Sequence, residues 1–129
     1  MAAMRRAPIR IVLADNVQRV RDAVRDLVNL QTDMQVVGEA DDSSTALALV
    51  ARLAPDLTLL DMRLPGADSL GLMADLRRVS PATALVLYMA NPSAEAREAA
   101  LQAGAAGFIE KGATPPVFLA ALRQAATTP

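Results

Sequence analysis

The sequence predicts an α/β fold, a five-stranded parallel sheet with helices on both faces. Two observations lead there. Short apolar segments alternate with longer segments of helical spacing along the chain, and most of the apolar segments run with little polar interruption, as strands buried on both faces do. Parallel strands need a long crossover between them, and the helical segments supply it. A chain of 129 residues with 53% apolar content is long enough for one such core and too short to suggest two.

The first strand is Ile9 to Ala14 (IRIVLA). It leads to a helix in which Val17, Val20, Val24, Leu27 and Val28 share one face while Arg19, Arg21, Arg25 and Asp26 take the other. The second strand, Met34 to Ala40 (MQVVGEA), leads to a helix capped by Asp42 or Ser43 and reaching Leu53. The third, Leu57 to Leu60 (LTLL), leads to a helix capped by Asp68 or Ser69, with a stripe of Leu70, Met73 and Leu76. After the fourth strand, Ala84 to Met89 (ALVLYM), a helix from about Ser93 to Ala103 carries Ala96, Ala99, Ala100 and Ala103, with Leu101 alone among the larger apolar residues. Alanine buries little area, so this helix should be loosely held. The fifth strand, Ala106 to Glu110 (AGFIE), precedes a helix that begins at Thr114 with Pro115 in its first turn and presents Phe118, Ala121, Leu122 and Ala125 inward. On this reading residues 1–8 are a tail, 9–126 one domain, and 127–129 a tail or the start of a linker.

Composition narrows the chemistry. Cysteine and histidine are both absent, which excludes thiol nucleophiles, imidazole bases, disulfides and Cys/His zinc sites. With 13 basic and 14 acidic residues there is no electrostatic reason to expect nucleic acid or an anionic membrane as partner. No apolar run reaches the ~18 residues of a membrane span, and a soluble cytoplasmic protein is expected. Neither G-x-G-x-x-G nor G-x-x-x-x-G-K-[ST] occurs. In sheets of this kind the site lies beyond the carboxyl ends of the strands, where their order reverses. The chain places three charges there: Asp15 after the first strand, Asp61 after the third and Lys111 after the fifth. They would gather at one edge of the sheet as a small charged pocket.

The stretches "VLADN" with Asp15, "LLDMRLPG" with Asp61 four residues before Pro65, and "AGAAGFIEKG" with Lys111 resemble the receiver domain of bacterial two-component response regulators. The resemblance runs from Ile9 to about Ala126 and looks closest to receivers that precede a helix-turn-helix output domain in transcription regulation, especially in "GATPPVFLAAL". None of the 129 residues reads as part of such an output domain, and Pro129 reads equally as a natural end or as a cut before one. The resemblance implies a flavodoxin-like, doubly wound sheet with strand order 2-1-3-4-5. It implies a signalling phosphoacceptor with no separate turnover as an enzyme. A histidine kinase would pass a phosphoryl group to Asp61. Mg²⁺ would be held by Asp15, Asn16, Asp61 and the backbone carbonyl of Arg63, while Lys111 would sit on the phosphoryl oxygens. Tyr88 and Phe108 fall at the switch positions, and the change would be relayed through the fourth helix, fifth strand and fifth helix to an output domain or partner protein. Receivers of this kind often pair weakly through the fourth-helix face, and the alanine-rich helix here is compatible with such a pair, with the oligomeric state left open. Physical chemistry supports these roles: a carboxylate approaching phosphorus needs neutralising charge, Mg²⁺ favours hard oxygen ligands, and an ammonium is a compact point charge. The chain has 12 arginines and this one lysine.

Two positions depart from the family pattern. The adjacent acids expected after the first strand are Asp15 and Asn16 here. An amide oxygen brings no charge, so Mg²⁺ is expected to bind more weakly. Both residues are also good helix caps. Where the family has Ser or Thr, this chain has its only tyrosine, Tyr88, with its hydroxyl at the end of a rigid ring. The phenol reaches the site from farther out, or the ring turns toward the fourth and fifth helices, or it merely packs. Phe108 reads equally as core filler and as an aromatic that moves on activation, and Arg63 as solvated or partner-facing. These departures define a competing function, a pseudo-receiver that docks a partner regardless of phosphate. A dehalogenase-like hydrolase would need an acid where Arg63 stands and is set aside.

Overall fold

The computed structural model describes residues 7–66 and 68–127. Residues 1–6 and 128–129, most of the two expected tails, lie outside the described residues. Strands and helices alternate as β1 (Ile9–Ala14), α1 (Gln18–Asn29), β2 (Met34–Ala40), α2 (Ser43–Leu53), β3 (Leu57–Asp61), α3 (Ser69–Val79), β4 (Ala84–Met89), α4 (Ala94–Gln102), β5 (Gly107–Glu110) and α5 (Pro115–Thr127). Every pairing is parallel and the order is β2-β1-β3-β4-β5, the doubly wound flavodoxin-like sheet. β3 runs one residue further than its apolar run suggests, which takes Asp61 into register with Tyr88 of β4. α5 runs through Thr127.

Alternate residues of each strand face opposite sides of the sheet, and two cores result. On one side Ile11, Leu13, Leu57, Leu59, Val86 and Ile109 pack against Val24 and Val28 of α1 and Phe118 and Leu122 of α5. On the other, Val12, Leu60, Leu85 and Leu87 meet Ala46 and Val50 of α2, Met73 and Leu76 of α3, and Ala100 of α4. Right-handed crossovers produce this division, because the chain moves one way across the sheet from β1 to β2 and the other way thereafter.

Asp42, Asp68 and Ser93 cap α2, α3 and α4 by accepting from the amides of Thr45, Gly71 and Ala96. The start of α1 differs from expectation. Val17 occupies its cap position and no side chain caps it, so neither Asp15 nor Asn16 serves as the cap. In α3 the buried arc centres on Leu72, Met73 and Leu76, which leaves Leu70 at its edge and 43% exposed. α4 buries only Ala100. The loop after β3 is docked on α2, with the Ser43 amide donating to the Pro65 carbonyl at 2.8 Å. Gly66 sits there at φ +120°, and a Cβ on it would meet Ser43 Oγ at 2.1 Å, so only glycine fits.

Candidate functional site

Strand order reverses between β1 and β3, and the two acids flank that point. Asp15 follows β1, with its amide donating to the Ala40 carbonyl of β2 at 3.0 Å. One oxygen of its carboxylate accepts from the Val17 amide at 2.8 Å, and one oxygen of Asp61 accepts from the Arg63 amide at 3.0 Å. Each acid is thus pinned by the amide two residues on, a turn that aspartate forms readily. Both are buried, at 5% and 4% exposure, which is costly for a carboxylate without a partner.

Lys111 is that partner for both. Its Nζ lies 3.3 Å from Asp15 Oδ2 and 3.2 Å from Asp61 Oδ2. β5 is two strands away from β3, and strands lie about 4.8 Å apart, so a long side chain is needed to reach. The Lys111 amide donates to the Met89 carbonyl at 2.8 Å, and the ammonium stands 5.3 Å from the centre of the Tyr88 ring. Burial pulls the lysine pKa down, but the charges and hydrogen bonds of Asp61 and Asp15 outweigh it and leave the pKa raised. Lys111 is therefore cationic across the neutral range.

Two carboxylates share one ammonium, so the pocket has room for more positive charge. No group of three or more His, Cys, Asp or Glu side chains gathers among the described residues. A pair of carboxylates still suits Mg²⁺, which keeps several waters beside one or two such ligands. Asn16, where the second acid would stand, is exposed and has no side-chain hydrogen bond among the described residues. A cleft of 330 Å³ opens beside Asp61 and Lys111, lined also by Arg63, Asn91 and Ser93. Arg63 is exposed, as expected.

Tyr88 packs against the core. It shares the strand face of Ala84 and Val86, and its ring packs edge-to-face on Phe118 of α5 at 5.6 Å, on the α1 and α5 side of the sheet. It turns its face, not its hydroxyl, to Lys111, and it does not cover α4. Burial raises its pKa, Lys111 lowers it and Asp15 raises it, with a net increase. Phe108 is half-buried against the opposite core, with the Arg97 guanidinium 5.7 Å from its ring centre. Arg97 also pairs with Glu110.

Two residues near the site escaped sequence reasoning. Helical periodicity put Arg21 on the solvated face of α1, yet its side chain is only 15% exposed. Its Nη1 donates to the Asp15 carbonyl at 2.6 Å, and its Nε faces Glu39 Oε1 at 3.5 Å. Glu39 reaches this place because β2 pairs it with Leu13 near the end of β1. Only the strand register could have revealed it.

A model of the response regulator receiver domain matches residues 11–123. The chain is 35% identical over 119 residues to the nitrate/nitrite response regulator protein NarL of Escherichia coli, covering 92% of this chain and 55% of that protein. It is 33% identical over 123 residues to the transcriptional regulatory protein YxjL of Bacillus subtilis, covering 95% and 56%. The solved signal receiver domain of NarL from Mycobacterium tuberculosis matches with a TM-score of 0.89 at 34% identity, over 95% of this chain and 99% of that one. The chain spans about half the length of the curated relatives it matches. Nothing in these comparisons favours the pseudo-receiver alternative. With its fold, its strand order and its match to the family over most of its length, the chain belongs to the response regulator receiver domain family.

Proposed function

We propose that this receiver accepts a phosphoryl group on Asp61 from the phosphohistidine of a sensor histidine kinase. The observation that carries the reading is one ammonium, Lys111 Nζ, within 3.3 Å of both Asp15 and Asp61. A carboxylate oxygen of Asp61 attacks phosphorus, the P–N bond to histidine breaks, and the histidine nitrogen leaves with its electron pair, giving an acyl phosphate on Asp61. Lys111 exchanges its carboxylate contacts for the phosphoryl oxygens, already charged and already at the pocket, so little reorganisation is needed. The Arg63 amide holds Asp61 in place during the attack. Mg²⁺, when bound, would be held by Asp15, Asp61 and the carbonyl of Arg63, with Asn16 as an uncharged donor, and would neutralise charge on the phosphoryl oxygens.

In this reading the domain works in the cytoplasm, with a histidine kinase upstream and an output domain or partner protein downstream. The relay runs through α4, β5 and α5, where Phe108 lies and where two copies would pair weakly. No helix among the described residues is long and apolar enough to cross a membrane. The test is intact-mass spectrometry after incubation with acetyl phosphate and Mg²⁺. The wild type is expected to gain one phosphoryl mass and Asp61→Asn none. An unmodified wild type, or an adduct that survives Asp61→Asn, would overturn the assignment.

A further inference from the structure

We infer that Arg21 and Glu39 form a strut that positions Asp15 as a cation ligand, so that Mg²⁺ affinity depends on two residues that need not touch the ion. The inference rests on the reading of Asp15 as a ligand. Asp15 lies in the turn between β1 and α1, and that helix starts without a side-chain cap. Arg21, one turn into α1, reaches back to hold the turn, with Nη1 donating to the Asp15 carbonyl at 2.6 Å. The other edge of its guanidinium faces Glu39 at 3.5 Å, and Glu39 also accepts from Arg25 Nη1 at 3.2 Å. Glu39 precedes the last residue of β2 and is in register with β1, so the strut joins two strand ends to the first turn of α1.

Charge makes the arrangement purposeful. Arg21 satisfies its positive charge on Glu39 and takes only a neutral carbonyl of Asp15, which leaves the Asp15 carboxylate to Lys111. A planar, rigid fork holds its two partners in fixed directions, whereas the point charge of a lysine on its flexible stem fixes neither direction. Because Asn16 brings no charge, the site depends on the placement of its two carboxylates more than a site with three would.

The test is titration of MgCl₂ into the full chain, followed by backbone amide NMR shifts. Arg21→Gln and Glu39→Gln are each expected to weaken Mg²⁺ binding about tenfold, the usual effect of removing a residue that orients a ligand. Because both act through one strut, the double variant should bind no more weakly than the worse single variant. Arg25→Gln, which shares Glu39 but does not touch Asp15, should stay within about twofold of wild type. Arg21→Lys should recover only part of the affinity lost in Arg21→Gln. Wild-type affinity in a folded Arg21→Gln, or losses that add in the double variant, would overturn the strut. Should Arg21→Gln fail to fold, wild-type affinity in both Glu39→Gln and Arg21→Lys would overturn it instead. Asp15→Asn separates the two levels: if it too leaves affinity unchanged, the ion is not at Asp15 and both readings fall, whereas a loss there with none in Arg21→Gln removes the strut alone.

Discussion

α1 and α4 border the same acidic pocket and are seated in different ways. α1 buries Val24 and Val28 against the sheet and is tied through Arg21 and Arg25 to Glu39. α4 buries one alanine, leaves Leu101 52% exposed, and is tied at its edge by Arg97 to Glu110 and the Phe108 ring. Segments with little buried apolar area open at low free-energy cost, while those seated in a core do not. The side of the pocket that carries Asp15 is therefore set before any ligand arrives. The side facing the cleft is the one with freedom to respond. Asn91, in the left-handed region at φ +47°, lies in the connection between β4 and α4, which places backbone strain on the same side.

Lys111 joins the two sides, and removing it should break the comparison outright. Lys111→Ala is expected to slow phosphorylation by acetyl phosphate roughly 100-fold, the usual consequence of losing one charge-stabilising donor, measured as adduct mass against time. A rate near that of the wild type would place Lys111 outside the reaction. The same residue predicts a pH effect. Its pKa is raised in the folded state, so the tie contributes fully below the ordinary lysine range and is lost as pH climbs through the folded value. Stability measured by urea denaturation should fall on that alkaline limb in the wild type and fall less in Lys111→Ala.

The next test sharpens the contrast between the helices themselves. Val28 is fully buried in α1, and Val28→Ala should cost about 2 kcal/mol in lost transfer energy and cavity formation. Leu101→Ala on α4 removes a larger side chain and should cost less than about 0.5 kcal/mol. Equal losses would mean that α4 is seated as firmly as α1.

Much of this was readable from the sequence, and the failures have physical causes. Continuous apolar runs gave the strands, and Asp15, Asp61 and Lys111 were legible because each stands where an apolar run meets a charge. The three readings of Tyr88 stayed open because the period of two tells which residues share a face, not which helices cover it. That needs the crossover directions, which put α1 and α5 together. Arg21 and Glu39 were missed because neither is unusual on its own element, and their pairing exists only in the register of β1 with β2. Leu70 shows the limit of a stripe of three residues, since a shift of one position rotates it by about 100°.

Two smaller effects bear on the fixed side of the pocket and on its core. Asn16→Asp should tighten Mg²⁺ about tenfold, a fraction of the gross attraction of an added charge after desolvation, and unchanged affinity in the titration would mean that residue 16 does not face the ion. Thr58, fully buried in β3 on the α2 side, has a hydroxyl with no hydrogen-bond partner among the described residues. Thr58→Val keeps the shape and removes the unpaired group, so it should raise stability by up to about 1 kcal/mol, read from the urea midpoint.

The most direct measurement locates the phosphoryl group. An acyl phosphate on aspartate is reduced by borohydride to homoserine, which peptide mass mapping places to the residue. After acetyl phosphate and Mg²⁺, homoserine is expected at position 61 and nowhere else, and is expected to vanish when the cation is chelated. Homoserine at position 15, or at no position, would contradict the assignment of Asp61 as the acceptor.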